Sequence, residues 1–379
     1  MKFDLSSEQE LIRKTAREFA EKEITPHAAR WDQNEEFPAE TVKKLGELGF
    51  MGIAVPEQWG GAGMDNLSYI LAVEEISRAC GSVGVIMSVN NSLACWPLQA
   101  FGTDAQKEEW LEPLASGQKL GAYCLSEPQA GTDAAAQKTT ANPDGDGWVL
   151  NGTKNFITNG AHADTFIVFA MTDLTKGHKG ISAFVVDAHA PGVAVAHTEH
   201  KMGIRASDTA QITLDDVKLR GDQLLGEIKD GFKIAMQTLD GGRIGIAAKA
   251  LGIAQASIDH SIAYAKERSQ FGRPIAQFQA IQFKIAEMTL RTEAARLLTY
   301  RAAAVKDQGR RHSNESALAK LAASTASVYC SEEAVQIFGG NGYSKEYPVE
   351  KLMRDAKICD IYEGTNEVQK MVISATALA

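Results

Sequence analysis

From Leu5 to about Leu120 apolar positions recur at helical spacing, beginning with Leu11, Thr15 and Phe19, as expected of amphipathic helices facing a core. Ser6 and Ser7 followed by Glu8 and Gln9 offer N-cap hydroxyls and acidic first-turn partners for the first helix. Breaks at Pro38, at the glycine-rich run Trp59 to Gly63 and at Gly81 divide this region into several helices. Between Gly121 and Lys218 the texture changes to short β-branched and aromatic runs, Gly147–Leu150, Phe166–Phe169, Ile181–Val186 and Gln211–Leu214, which predict an antiparallel β domain. Asn151-Gly152, between the Trp148 run and Lys154–Ile157, is a type I′ turn signal and predicts a hairpin there.

After Asp230-Gly231 long helices return. The first reaches about Arg268, where Phe271-Gly272-Arg273-Pro274 interrupts it, because proline disfavours helix in the residue before it. Phe278, Ile281, Ile285 and Met288 mark the apolar face of the next, and Leu318, Leu321, Thr325 and Val328 that of a third. The expectation is an α+β chain in three packed parts: a helical domain over 1–120, a β domain over 121–231 and a helical bundle over 232–379. At 379 residues the chain is too long for one core, and it shows no internal repeat or linker.

Composition narrows the partners. Thirty-nine basic against 48 acidic residues give a net charge of -9, which disfavours a nucleic-acid backbone or an anionic membrane surface. No run approaches the length of a membrane span, and Met1 to Asp4 lack a basic flank followed by an apolar stretch, so a soluble, cytoplasmic protein is expected. Cys80, Cys95, Cys124, Cys330 and Cys359 are scattered and odd in number, which favours buried thiols over disulfides or zinc. His197 and His200 have HxxH spacing but fall in a short β run, and no metal site is expected.

The common nucleotide and hydrolase motifs are absent. Three other stretches carry candidate chemistry. Leu125 to Asp133 places a strand end against a loop rich in hydroxyls and backbone amides, suited to a pyrophosphate or equally to a solvent-facing connector. Arg268 to Arg273 sets basic and aromatic residues at a helix end, where capping alone is a sufficient reading; the glycine-rich helix end at Gln336 to Tyr343 has more glycines than a plain cap needs. Glu363, between Ile361-Tyr362 and Gly364-Thr365, is a carboxylate among apolar neighbours. Spacing alone makes it a partner for a helix N-terminus; in an apolar pocket it would have the raised pKa of a general base.

Taken together, Ser126 to Asp133, Asn151 to Gly160, Arg268 to Gly272, Gln336 to Gly340 and Tyr362 to Glu367 resemble the acyl-CoA dehydrogenase family, in the family's order and across essentially the whole chain. The short-chain, butyryl-CoA dehydrogenase-like branch is the nearest in kind. The resemblance implies an FAD enzyme, usually a homotetramer, that passes electrons to an electron-transfer flavoprotein. It implies that Tyr123, Leu125, Ser126, Gly131 and Thr132, with Phe156, Ile157 and Thr158, line the flavin and pyrophosphate, Thr158 near N5. Arg268, Phe271, Gln279, Gln336, Gly339 and Gly340 would reach the adenosine half of a cofactor held mainly by a neighbouring subunit, and Thr365 and Glu367 the cofactor of their own. Glu363 would remove the pro-R α-hydrogen while a β-hydride passes to N5, forming a trans-2-enoyl-CoA. Its own amide and a ribityl hydroxyl would stabilise the enolate oxygen.

One branch of the family carries its base immediately before the arginine that corresponds to Arg243. Here that position is Gly242, which leaves Glu363 as the implied base. Thr132, Asp240, Arg243 and Gly364 are the implied substrate contacts, and Trp96 and Phe101 possible floor residues of the acyl pocket. The chain departs mildly from the family at Gln129 and Thr132, where Gly and Ser are commoner, at Phe156 in place of Trp, and at Asn366 in place of Ser. Short straight acyl chains are expected, with short branched chains second; an oxidase or a catalytically silent acyl-CoA-binding relative are the competing readings.

Overall fold

Ser6 caps the first helix, α1 (Ser7–Phe19), through a reciprocal pair of hydrogen bonds with Gln9, the capping box anticipated from the four-residue run. Its buried face differs from the expected stripe. Ala16 is sealed and Ile12 and Phe19 pack inward, whereas Leu11 is exposed, so the face is set one residue along. The computed structural model describes residues 4–379, so the reading of the chain start at Met1 to Asp4 falls mostly outside them. Two buried helices, α2 (Asn66–Ala79) and α3 (Gly81–Val89), form the centre of the N-terminal region, separated by an extended Cys80 next to the expected break. Among the described residues no helix is long and apolar enough to cross a membrane. The five cysteines are all buried and free.

The middle region is one sheet. Its strands are β1 (Gly121–Cys124), β2 (Thr140–Asp144), β3 (Gly147–Thr158), β4 (Thr165–Met171), β5 (Ile181–Asp187), β6 (Val193–Thr198), β7 (Thr209–Leu219) and β8 (Leu224–Leu225), ordered β6-β7-β3-β2-β4-β5-β8. Most pairs are antiparallel, but β1 adds to β4 in parallel and β2 meets β4 in parallel at one residue, so the sheet is mixed. The hairpin expected at Asn151-Gly152 is not there. β3 runs straight through both residues, and the turn lies between β2 and β3, where Gly145 has φ 59°. Asn151-Gly152 instead marks a register shift against β7, and a Cβ on Gly152 would lie 2.4 Å from the Thr139 hydroxyl. The glycine serves a bulge and a close approach rather than a turn.

The C-terminal region has three long helices, α4 (Gly231–Glu267), α5 (Gln279–Asp307) and α6 (Ser313–Phe338), then α7 (Val349–Lys357) and α8 (Asn366–Ala377). The break before Pro274 is a small two-stranded turn, Ser269–Gln270 against Arg273–Pro274. The stripe assigned to α6 is displaced. Thr325 is exposed, and the buried face is made of Ser316, Ala319, Lys320, Ala323, Ser324 and Ser327. Small side chains let α6 lie close along α4, and hydroxyls satisfied by carbonyls of their own helix make that face apolar in effect.

Candidate functional site

Glu363 stands on the short segment between α7 and α8, after a single helical turn at Ile358–Asp360. Glu363 and Gly364 both have left-handed backbone, φ 51° and 89°. For a non-glycine residue such a conformation costs about 1–3 kcal/mol and persists only where the surroundings impose it. They do. Gln369 donates to the Gly364 carbonyl at 2.8 Å, Arg243 reaches the Glu363 carbonyl at 3.4 Å, and the Thr365 hydroxyl caps α8 by accepting from the Val368 amide. Gly364 is favoured by its φ of 89°, which a side chain would strain, and a Cβ there would also push on Gln369 Nε2 at 2.7 Å.

The carboxylate Oε2 of Glu363 is sealed from solvent and has no hydrogen-bond partner among the described residues. Burial pushes the group's pKa up to about 8, against the opposing pull of Arg243 and Lys320. A Cβ placed on Gly242 would lie 2.2 Å from that oxygen and 2.7 Å from Leu93 Cδ2. Positions 242 and 363 therefore converge on one point from two elements, and glycine at one makes room for glutamate at the other. Arg243, itself buried, is held by Asp240 at 2.7 Å, and Asp240 in turn accepts from Ser313. The Glu363 amide donates to no group among the described residues, as an enolate-stabilising donor requires.

The residues expected around a flavin fall into two groups. Tyr123, on β1, is buried and donates to the Ala235 carbonyl on α4, which ties the sheet to the helix that carries Arg243. Leu125 and Ser126 follow at the strand end. Behind them the fully buried Lys154 donates to Glu127, Gln137 and the Leu125 carbonyl, while Glu127 accepts from the amides of Lys138 and Thr139. This buried ion pair fixes the loop that ends in exposed Gly131 and Thr132. Phe156, with φ 57°, projects from a second register shift in β3 and is 63% exposed; Thr158 is half-buried. The Ile157 side chain lies in the β core, so only its backbone can face a ligand.

The second group is far off. Arg268 ends α4, 25 residues beyond Arg243, about 37 Å along the axis at ~1.5 Å per residue. Phe271 there is 94% exposed with φ 53°, Gln279 and Gln336 are exposed, and a Cβ on Gly339 or Gly340 would meet nothing within 4 Å. Within one chain this open surface and the Glu363 pocket do not come together. Trp96 and Phe101 meet edge to face at 5.7 Å, with the Lys306 ammonium 5.6 Å from the Trp96 ring. His197 and His200 are exposed and pair with Glu199 and Glu35, and no metal-binding cluster occurs among the described residues. Leu93 and Lys320 border Glu363 without having been anticipated, whereas Tyr362 is the apolar neighbour expected from the sequence. Leu93 and Lys320 each lay in a stretch whose apolar or small residues read as ordinary core.

An apolar aromatic at the sheet edge, an amide-rich loop locked from behind, a sealed carboxylate and open glycines fit a flavin dehydrogenase. Comparison with known proteins agrees. The chain matches the acyl-CoA dehydrogenase N-terminal domain over residues 6–118, the middle domain over 122–217 and the C-terminal domain over 229–378. It belongs to the acyl-CoA dehydrogenase family of FAD-dependent oxidoreductases. It is 52% identical to the short-chain specific acyl-CoA dehydrogenase of Clostridium acetobutylicum, over 99% of each chain. Among solved structures it resembles butyryl-CoA dehydrogenase from Megasphaera elsdenii with TM-score 0.99, 48% identity and full coverage of both chains. A chain solved in work on the electron transferring flavoprotein of Acidaminococcus fermentans matches equally, with TM-score 0.99, 49% identity and full coverage of both.

Proposed function

We propose that this chain oxidises short, straight-chain acyl-CoA thioesters to trans-2-enoyl-CoA, with Glu363 as the base that takes the α-proton. The sealed, unpartnered Oε2 of Glu363 carries the reading, because a carboxylate with one oxygen held out of water and a pKa pushed up to about 8 accepts a proton far more readily than an ordinary one. The free amide of Glu363 offers a donor to the thioester oxygen as enolate charge develops there, and Gly364 lets the chain pass close to the substrate. Arg243, locked by Asp240, fixes the turn through the Glu363 carbonyl. Asp240, Arg243, Gly364 and Thr132 are the substrate contacts.

FAD, when bound, supplies the hydride acceptor. Tyr123, Leu125, Ser126, Gly131, Thr132, Phe156, Ile157 through its backbone, and Thr158 hold its ring and pyrophosphate, with Thr365 and Glu367 on the same subunit. Arg268, Phe271, Gln279, Gln336, Gly339 and Gly340 serve the adenosine half of a neighbouring copy's cofactor; their distance along α4 from Arg243 supports a site shared with a second copy, in the homotetramer that the resemblance implies. We divide the chain at 120/121 and 231/232. The relatives named short-chain specific and butyryl-CoA dehydrogenase support the chain length, with short branched chains second. The flavoprotein study that holds a near-identical fold supports an electron-transfer flavoprotein as oxidant. A net charge of -9 favours neither nucleic acid nor membrane, consistent with a cytoplasmic enzyme.

The test is optical. Purified protein should be yellow, and butyryl-CoA should bleach it anaerobically; a panel from butyryl- to palmitoyl-CoA with branched analogues, ranked by kcat/KM, should peak at the short straight end. A protein that binds FAD but is bleached by none of them would leave a silent acyl-CoA-binding relative.

A further inference from the structure

Lys320 lies in the middle of α6 with 0% of its surface exposed. A buried ammonium is costly unless it is paired or hydrogen-bonded. Its Nζ donates to Asn366 Oδ1 at 3.1 Å, and the same oxygen accepts from Ser324, one turn along α6, at 2.9 Å. The other end of that amide, Nδ2, donates to Asp360 Oδ1 at 2.8 Å. Asn366 is the first residue of α8 and Asp360 the last of the helical turn at Ile358. One side chain thus joins both flanks of the strained turn that carries Glu363, and Lys320 with Ser324 pins the bridge to α6. A serine at position 366 would be too short to span from α6 to Asp360. A second buried lysine, Lys249 on α4, reaches the Asp355 carbonyl and Cys359 Sγ below the same segment.

We propose that Lys320 is a positioning residue for the reaction: acting through Asn366 and Asp360, it clamps the left-handed Glu363 turn, and its charge sets how readily the carboxylate stays ionised. The inference rests on Glu363 as base. The groups that face the carboxylate are Arg243 from α4, Lys320 from α6, Tyr123 from β1, Tyr69 from α2 and Tyr362 beside it; Asp240, Asp360, Cys359 and Lys249 stand behind them, on Arg243, Asn366, Lys320 and the Tyr362 ring. Arg243 and Lys320 are the two cations that face it, and both favour the ionised form. Burial holds the Lys320 ammonium down to about 8, so the two groups titrate over one range and the observed limb belongs to the pair.

The experiment compares the pH dependence of kcat/KM for holoenzymes with matched flavin absorbance: wild type, Lys320→Met, Lys320→Arg, Asn366→Ser and Glu363→Gln. Removing the charge in Lys320→Met should move the rising limb upward by about one pH unit, a ~tenfold loss below it. Lys320→Arg should leave the limb at or below its wild-type place. Asn366→Ser, which cuts the bridge but not the charge, should lower kcat roughly tenfold with little change in KM. An unmoved limb in Lys320→Met at full flavin content, even with a lowered Tm, overturns the proposal. If Lys320→Met or Lys320→Arg does not retain flavin, Asn366→Ser decides alone, and wild-type kcat in it overturns the clamp. Activity surviving in Glu363→Gln would show that the base itself was misassigned, which separates that failure from this one.

Discussion

The turn at Glu363 and the turn at Phe271 both hold a non-glycine residue in left-handed backbone, at φ 51° and 53°, each followed by a glycine. Around Glu363 the conformation is imposed from every side, by Gln369, Arg243, the cap at Thr365 and the bridge through Asn366. Around Phe271 hardly anything of the same chain presses on the side chain, which is 94% exposed. The same local geometry therefore serves two purposes. In one it holds a side chain against the neighbouring elements of its own chain; in the other it leaves an aromatic open on the surface. On the proposed roles, a turn braced within its own chain and an open surface that serves a neighbouring copy fail differently when mutated, from the largest expected effect to the smallest.

Glu363→Gln should strike hardest. Loss of the proton acceptor should cut reduction by butyryl-CoA ~10²–10⁴-fold while the protein stays yellow, read by anaerobic stopped-flow absorbance. Gly242→Ala comes next: its methyl would occupy the place of Oε2, and displacing the carboxylate by about an ångström should cost ~10²-fold in kcat without loss of flavin. A smaller effect appears in stability. Because the folded carboxyl has its pKa raised from 4.5 to about 8, the fold binds the proton more tightly than the unfolded chain. The stability it contributes is full below about pH 4.5 and is lost as pH rises through about 8. The Tm advantage of Glu363→Gln over wild type should widen from pH 5 to pH 8.5, and a constant gap would mean the carboxylate is not sealed. Phe271→Ala should be mildest: no change in the unfolding of the isolated subunit and a roughly tenfold weaker hold on FAD, measured by flavin release on dilution.

How much of this was legible beforehand depended on whether the signal was local. The capping box at Ser6 and Gln9 and the break at Pro274 are short-range chemistry and appear as read. Asn151-Gly152 has the composition of a turn, yet tertiary context overrides it. Thr139 comes so close that glycine is needed for space, and the chain continues straight. The inward face of α6 escaped for the opposite reason. Periodicity weighs bulk, and a face of serines and alanines around Lys320 has too little of it to register beside Leu318 and Leu321. Glu363 was placed by its neighbours in the motif, not by its spacing; what the fold adds is the sealed oxygen and the meeting with Gly242, which join residues 121 positions apart.

The paired left-handed residues at 363 and 364 bear on when the base is aimed. A glutamate directed by its side chain alone would lose rotamer freedom each time substrate arrived. Here main-chain torsions set the direction in which the side chain leaves the backbone, so that part of the loss of conformational freedom is settled once, as the chain folds. On the proposed role of Glu363, each encounter with substrate then begins from a backbone already set.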